Sequence, residues 1–72
     1  MEKLKEFGIR LRILRKERQL TQREVAKLLD ITDVHYRRME AGKVNIPSLT
    51  LWALADYFEV TTDYLLGRSQ ER

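Results

Sequence analysis

Residues 21–42 read TQREVAKLLDITDVHYRRMEAG, and this stretch decides the fold because it predicts two short helices separated by a tight turn. Thr21 and Glu24 have the spacing of a capping box, in which each side chain accepts a hydrogen bond from the other residue's backbone N–H. Thr32 stands in front of a second periodic segment and is a candidate N-cap for it. The second helix is therefore predicted over about residues 32–41.

The apolar residues of this stretch recur at helical spacing on one face of each predicted helix. They are Val25, Ala26, Leu28 and Leu29 in the first helix and Tyr36 and Met39 in the second. Gly42 supplies the left-handed residue that commonly ends a helix. Two such helices joined by a turn of about 3–4 residues match the helix-turn-helix motif. The side chains that the second helix would expose are Asp33, Val34, His35, Arg37 and Arg38.

Three further helices are predicted outside this stretch. The first, over about residues 3–18, is amphipathic because its apolar residues recur at three- and four-residue steps. These residues are Leu4, Phe7, Leu11 and Leu14. Ile9 and Ile13 lie off that stripe, and we expect them to be buried against the C-terminal segment, with a subunit contact as the alternative.

Another helix is predicted to begin at Pro47, because Pro suits the first turn, where its missing N–H costs nothing. Its inner face consists of Leu51, Leu54, Ala55 and Phe58. A short last helix follows, with Thr61 or Thr62 as its N-cap and Gly67 at its end. The sequence therefore predicts five helices and no strands.

The length and composition limit the class of protein. With 72 residues the chain has room for one domain, and we predict a compact all-α domain over residues 1–67 and a short frayed C-terminal tail over residues 68–72. The sequence has no Cys, no apolar leader segment and no long apolar span. These features favour a soluble cytoplasmic protein without membrane contact.

The net charge of +3 is small, but the charges are distributed unevenly along the chain. Residues 1–20 carry seven cations against three acids, whereas residues 48–72 carry two cations against four acids. This asymmetry favours one side that faces phosphates and another that is turned away from nucleic acid. An ordinary solvated surface is the alternative interpretation.

The sequence contains no pattern typical of catalysis or metal binding. His35 is the single histidine, and without Cys or a second His it does not predict a metal site. No Ser-His-acid set, phosphate-binding Gly loop or paired carboxylates can be assembled from the chain. We therefore predict a protein that is not an enzyme and needs no cofactor or small-molecule ligand.

A set of residues spread along the chain carries a family resemblance. The set comprises Arg15, Thr21-Gln22, Glu40, Gly42, Leu54-Ala55 and Asp63-Tyr64-Leu65-Leu66-Gly67. In this order the chain resembles the lambda repressor and Cro-like helix-turn-helix family, often called XRE-type, over about residues 4–67. Its segment ALADYFEVTTDYLLGR is similar to stand-alone regulators of phages and Gram-positive bacteria. Asp30 departs from the family pattern, which usually has Gly in the turn.

The resemblance implies binding of double-stranded DNA, with the helix at about 32–41 in the major groove. Gln22 matches the family's phosphate-anchoring position. The base-reading positions fall on Asp33, Val34 and Arg38, and the positions bordering them fall on Thr32, His35 and Arg37. The loop that usually contacts the DNA backbone contains Lys43 and Asn45.

Side-chain chemistry is consistent with these roles. Arg38 can donate two hydrogen bonds to guanine or contact a phosphate, whereas Val34 can pack on a thymine methyl. For Arg37 a phosphate contact is expected. Asp33 is unusual on a surface that approaches DNA; it would accept from a cytosine amino group or repel wrong sequences.

The resemblance also implies a structural ion pair and a homodimer. Arg15 and Glu40 match the pair that ties the first helix to the recognition helix in this family. The expected dimer contacts lie around the corner between the last two helices, at Tyr57, Val60, Thr62, Tyr64 and Leu65. For Leu65 and Leu66 we favour the alternative, that they complete the core.

Together these inferences predict a sequence-specific transcriptional regulator, a repressor, that binds a palindromic operator as a dimer. The alternative is a protein-interaction module of the same fold, such as an antitoxin or antirepressor partner, with secondary DNA binding. An exposed apolar patch of Ile9, Ile13, Trp52 and Tyr57 would favour that alternative. A restriction-modification controller would share the DNA chemistry.

Overall fold

The computed structural model describes residues 2–72, which form five α-helices. They are α1 (Glu2–Glu17), α2 (Gln22–Leu29), α3 (Asp33–Glu40), α4 (Ser48–Phe58) and α5 (Thr62–Leu65). No strand occurs over the described range, and the predicted all-α fold with five helices is confirmed. Among these helices, none combines the length and the apolar character needed to span a membrane.

Threonine side chains fix the starts of three helices. The Thr21 hydroxyl accepts from the Glu24 backbone N–H at 3.1 Å, and the Glu24 carboxylate accepts from the Thr21 N–H at 2.8 Å. Thr32 and Thr61 accept in the same way from the N–H three residues further on, at 3.1 and 3.0 Å. Each cap satisfies a backbone donor that has no partner inside the helix, which typically contributes ~1 kcal/mol. Pro47 is the residue before α4 rather than a member of its first turn.

The turn between α2 and α3 is built on a left-handed aspartate. Asp30 has φ 58° and ψ 44°, and its backbone N–H reaches the carbonyls of Ala26 and Lys27. The position where the family usually has Gly therefore keeps a left-handed conformation, which Asp adopts more readily than most residues. Gly42 also has a positive φ, 72°, as the sequence predicts for the end of α3.

The core receives side chains from all five helices. Its buried hydrophobic residues are Phe7, Leu11, Leu14, Val25, Ala26, Tyr36, Met39, Leu54, Ala55, Phe58, Tyr64 and Leu65. The loop between α3 and α4 adds partly buried Val44 and Ile46. Because α1, α2 and α3 share this core, the orientation of α3 is fixed by packing on both of its neighbours.

The prediction that Ile9 and Ile13 pack on the C-terminal segment is wrong, since their side chains are 60% and 44% exposed. Arg10 occupies that contact instead. Its Nη1 donates to the carbonyls of Tyr64 at 2.7 Å and Ser69 at 2.8 Å, and its guanidinium lies 4.5 Å from the centre of the Tyr64 ring. A charged side chain that satisfies two carbonyls thus joins α1 to α5 where the sequence suggested aliphatic packing.

Residues 68–72, which the sequence predicts to fray, have no helix or strand but contact the body of the domain. The Arg72 guanidinium donates two 2.7 Å hydrogen bonds to the Glu17 carboxylate. The Arg72 carbonyl accepts from the Thr61 N–H at 3.1 Å, and the guanidinium lies 5.3 Å from the Tyr64 ring centre. The tail therefore lies against both α1 and α5.

Candidate nucleic-acid interface

Helix α3 has one face in the core and one face in solvent. Tyr36 and Met39 are 0% and 1% exposed, whereas Val34 is 57% exposed. Arg37 and Arg38 are exposed as well. Since the buried residues lock the helix against the domain, the exposed face is presented in a fixed orientation.

Behind α3, a buried network centres on the Glu40 carboxylate. Arg15 donates to it through Nε at 2.7 Å and Nη2 at 3.2 Å. The Tyr36 hydroxyl donates at 2.5 Å, and Gln22 Nε2 donates at 3.0 Å. The remaining Arg15 nitrogen, Nη1, donates to the Leu20 carbonyl at 2.8 Å. The network therefore joins α1, α2 and α3 through one carboxylate.

The protonation equilibria of the network follow from burial and hydrogen bonding. Burial by itself would raise the pKa of Glu40, but hydrogen bonds from Arg15, Tyr36 and Gln22 outweigh burial and lower it. Burial, with the Glu40 carboxylate second, raises the pKa of Tyr36. The hydrogen bond to Glu40 raises the pKa of Arg15. At neutral pH the network is a charged pair with a neutral phenol, and none of its buried side-chain atoms within residues 2–72 lacks a partner.

Gly8 allows α1 to approach the end of α3 closely. A Cβ atom at this position would lie 2.1 Å from the Glu40 carbonyl oxygen and 2.7 Å from its carbonyl carbon. These are backbone atoms, so a larger residue would force the two helices apart. Gly inside a helix normally costs about 0.5–1 kcal/mol relative to Ala, and here the close helix contact explains its presence.

The exposed face of α3 and the following loop form a shallow groove. It is lined by Val34, Arg37, Arg38, Ala41 and Lys43. Three cations therefore surround a small apolar surface made by a valine and an alanine. Arginine can donate a two-bond fork to guanine or phosphate, and an aliphatic side chain can contact a thymine methyl. We name this surface the recognition groove.

Asp33, predicted to read a base, lies between two arginines. Its Oδ2 atom is 3.4 Å from Arg23 Nε in α2 and 4.0 Å from Arg37 Nη2 one turn further along α3. The acid is therefore partly neutralised by cations from two helices. Arg23 is absent from the set of residues that the sequence predicts for the site, although its ion pair with Asp33 places it there.

Among the other residues predicted to contact DNA, one is half-buried and makes a hydrogen bond inside the domain, and the others are exposed. Gln22 is half-buried and donates one N–H of its amide nitrogen to Glu40, so its predicted phosphate contact would use the second amide N–H or the backbone N–H. Thr32 and His35 are exposed, and the Thr32 hydroxyl accepts from the His35 backbone N–H. Lys43 and Asn45 are exposed on the loop after α3.

The residues predicted for a dimer contact differ in accessibility. Tyr57 is 37% exposed, and Val60 and Thr62 are half-buried, so each retains surface for a partner. Tyr64 is 8% exposed and Leu65 is fully buried. Leu65 therefore completes the core of its own chain, as the sequence favours, and its assignment to the dimer contact is wrong because it has no surface to offer a second copy.

The network and the pair of arginines beside Asp33 could have been recognised in part from sequence spacing. Tyr36 and Glu40 are four residues apart on a helix, which brings a phenol and a carboxylate together. Arg23 and Asp33 lie near the starts of the two adjacent helices of the helix-turn-helix.

The described residues contain no group of three or more acidic or His side chains arranged to hold a metal ion.

Comparison with known proteins agrees with this geometry. A family model described as helix-turn-helix matches residues 11–65, and the chain belongs to this lambda repressor-like, XRE-type family. No curated protein matches the chain. The family consists of DNA-binding regulators, which are typically not enzymes. The chain is accordingly a DNA-binding helix-turn-helix regulator.

Proposed function

We propose that the protein is a sequence-specific transcriptional repressor that places α3 in the major groove of a palindromic operator and binds as a homodimer. The observation that supports this proposal is the division of α3 into a face fixed by the core and an exposed face lined by three cations. In helix-turn-helix proteins the second helix enters the major groove and its N-terminal part contacts base edges. The protein would act in the cytoplasm, at the nucleoid, where its DNA ligand is found.

The recognition groove suggests a division of roles among its side chains. Arg38 and Val34 are proposed to read bases, by a fork to guanine and by contact with a thymine methyl. Arg37, Lys43 and the helix-starting Gln22 are proposed to contact phosphates, which fixes the register of the protein without reading sequence. The exposed Thr32, His35 and Asn45 lie beside them as additional polar contacts.

The proposed homodimer uses the corner between α4 and α5. Tyr57, Val60 and Thr62 keep accessible surface there. This corner belongs to residues 48–72, which carry more acids than cations, and this suits a surface turned away from DNA. A two-fold axis at this corner would relate two recognition helices, whose half-sites should lie about 34 Å apart, one turn of DNA.

Selection of bound sites from a pool of random duplex DNA tests the proposal directly. We expect a palindromic consensus with half-site centres about 10–10.5 bp apart. Sedimentation of the protein with the selected duplex should give two protomers per site. A salt series should show the steep loss of affinity that accompanies release of counterions. Recovery of a non-palindromic site bound by one protomer would reject the dimer model, and the absence of enrichment would reject sequence-specific binding.

The sign of regulation requires a transcription assay. The selected site is placed over a promoter, and transcription by bacterial RNA polymerase is measured with increasing protein. Repression should follow occupancy of the site, and a variant with Arg38→Ala should require more protein for the same effect. An increase in transcript with occupancy would replace repressor by activator while leaving the DNA-binding proposal intact.

A protein-interaction module is the second candidate function, and it is favoured by large apolar side chains in solvent. Trp52 and Leu49 on α4 are 63% and 79% exposed, and Ile9 and Ile13 on α1 are exposed as well. Exposed apolar groups that form a patch commonly mark a partner surface. If this is the main function, Trp52→Ala should abolish repression in cells while leaving the affinity for the operator unchanged. Unchanged repression by Trp52→Ala would argue against it.

A further inference from the structure

We propose that Asp33 is a positioning residue that holds Arg23 and Arg37 side by side against one backbone phosphate of the DNA, instead of reading a base. The inference rests on the proposed function, because it assigns a role within DNA binding. It also adds Arg23 to the interface.

The geometry brings the two arginines to the same carboxylate oxygen. Asp33 Oδ2 is 3.4 Å from Arg23 Nε and 4.0 Å from Arg37 Nη2. The arginine side chains remain 82% and 59% exposed, whereas the Asp33 side chain is 39% exposed. The acid is therefore less exposed than the two cations, which keep most of their side-chain surface in solvent. Arg23 binds through Nε, which leaves both of its terminal nitrogens available to an incoming anion.

The location of this cluster argues for a role in binding rather than in stability. Exposed ion pairs at such distances contribute little to the folding free energy. The cluster joins the first turns of α2 and α3, and Arg37 also lines the recognition groove. Lys27 lines the same cleft between α2 and α3 as Arg23 and Asp33, so the surroundings stay cationic despite the acid.

Asp33 is also poorly suited to be an independent base reader. A carboxylate that accepts from a cytosine amino group must approach the base edge closely, but Asp33 Oδ2 already has two guanidinium nitrogens within 4.0 Å, and these compete with the base for the carboxylate. A phosphate, in contrast, accepts planar forks from arginine, and two forks held together by an acid match its several oxygens. Holding the arginines in place beforehand reduces the conformational entropy lost on binding.

This role makes two opposite predictions for Asp33→Asn. Removal of a negative charge from the DNA-facing surface should strengthen binding to any duplex, because non-specific affinity is electrostatic. Loss of the ion pair between Asp33 and Arg23 should weaken the contribution of Arg23 to the specific complex. The variant should therefore bind mixed-sequence DNA more tightly while it discriminates less between selected and mixed-sequence DNA.

A double-mutant cycle tests whether Asp33 holds Arg23 in place. Affinities of the wild type, Arg23→Ala, Asp33→Asn and the double variant are measured on a duplex selected by the wild type from a random pool, and on a mixed-sequence duplex of equal length. Arg23→Ala should weaken binding to the selected duplex by about fivefold in the wild type but by less than about twofold beside Asp33→Asn. Lys27→Ala is the matched control, because Lys27 lines the same cleft, yet no ion pair between it and Asp33 occurs in the described part of the chain. Its effect should be the same with and without Asp33→Asn.

The possible outcomes separate this inference from the proposed function. Additive effects of Arg23→Ala and Asp33→Asn, in proteins with unchanged thermal unfolding, would overturn the positioning role alone. Selection with the Asp33→Asn variant that exchanges cytosine for adenine at a single position would also overturn it, since that result identifies a base reader. If the wild type enriches no duplex, the proposed function fails, and this inference fails with it.

Discussion

The two faces of α3 differ in how many contacts fix each side chain. On the inner face, Glu40 accepts hydrogen bonds from three side chains, and the α3 backbone lies so close to Gly8 that no Cβ would fit. On the outer face, Val34 and Arg38 are exposed and line an open groove. The comparison shows that the inner face sets where the helix lies and the outer face sets what it can bind. Outer residues can therefore change without loss of the fold.

A buried ion pair behind α3 and an exposed ion pair at the C-terminal tail show that burial, rather than bond geometry, decides what an ion pair contributes. Arg15 with Glu40 and Arg72 with Glu17 are both two-bond Arg–carboxylate pairs with a shortest distance of 2.7 Å. The side chains of the first pair are 10% and 4% exposed, whereas those of the second are 43% and 47% exposed. Water competes for the exposed pair and screens its charges, so equal distances do not imply equal contributions to stability.

The largest expected effect follows removal of the buried acid. Glu40→Ala leaves Arg15 charged and buried without its partner, which typically destabilises a protein by about 3–5 kcal/mol. A 72-residue domain has a total stability of roughly 4–11 kcal/mol, so this loss should remove a large share of it. Urea unfolding followed by circular dichroism measures the change.

The matched control for this prediction is Glu17→Ala, which removes the carboxylate of the exposed pair. We expect its unfolding midpoint in urea to equal that of the wild type within experimental error. Equal destabilisation by the two variants would contradict the conclusion that burial distinguishes the pairs. It would also show that the tail contacts contribute to folding.

Gly8→Ala should give the next largest loss of stability. It disturbs the contact of α1 with the inner face of α3 by adding a methyl group, whereas Glu40→Ala removes a charge. The added Cβ would lie 2.1 Å from a backbone oxygen of α3, and overpacking of this kind costs about 1–3 kcal/mol. This loss exceeds the gain in helix propensity that Ala normally brings. Thermal unfolding measures it, with Ile9→Ala as the control in the same helix, at a side chain 60% exposed. A stabilised Gly8→Ala variant would mean that α1 and α3 can separate without loss.

Substitutions on the outer face should change the affinity for DNA and leave the stability of the fold unchanged. Arg38→Ala should cost about 1–3 kcal/mol of affinity for the selected duplex and relax sequence preference at one base pair. Lys43→Ala should weaken binding to all sequences alike and reduce the salt slope by about one. Titrations over a salt series distinguish the two variants, and both should unfold like the wild type. Identical binding profiles for the two variants would reject the division into base and phosphate contacts.

Much of the fold could be predicted because it depends on local signals. The capping box at Thr21, the caps at Thr32 and Thr61 and the glycine at position 42 each act within a few residues of chain. Helical periodicity likewise identified Tyr36 and Met39 as buried side chains of α3. Such signals fix where helices begin and end, and which face turns inward.

The errors arose where distant segments meet. The sequence suggested Ile9 and Ile13 as the contact of α1 with the C-terminal segment, but Arg10 makes it through carbonyls that no sequence pattern identifies. The close approach at Gly8 depends on the distance between two helices, which periodicity does not give. In the candidate site, the ion pair between Arg23 and Asp33 crosses the turn and gives Asp33 a partner that its position on α3 alone does not suggest.

The smallest expected effect is the pH dependence of the inner face, which is small because burial and hydrogen bonding oppose each other at Glu40. Since the folded pKa of this carboxyl lies below its ordinary value of 4.5, the charged form stabilises the fold above pH 4.5, and this contribution is lost as the pH falls through the lowered pKa. The difference in unfolding free energy between wild type and Glu40→Gln should therefore be constant near neutral pH and shrink below pH 4.5. Urea unfolding at several pH values measures it in high salt, which screens the exposed Glu17 pair far more than the buried one. A difference that stays constant at acid pH would mean that the Glu40 charge contributes nothing and that the inner face depends on packing alone.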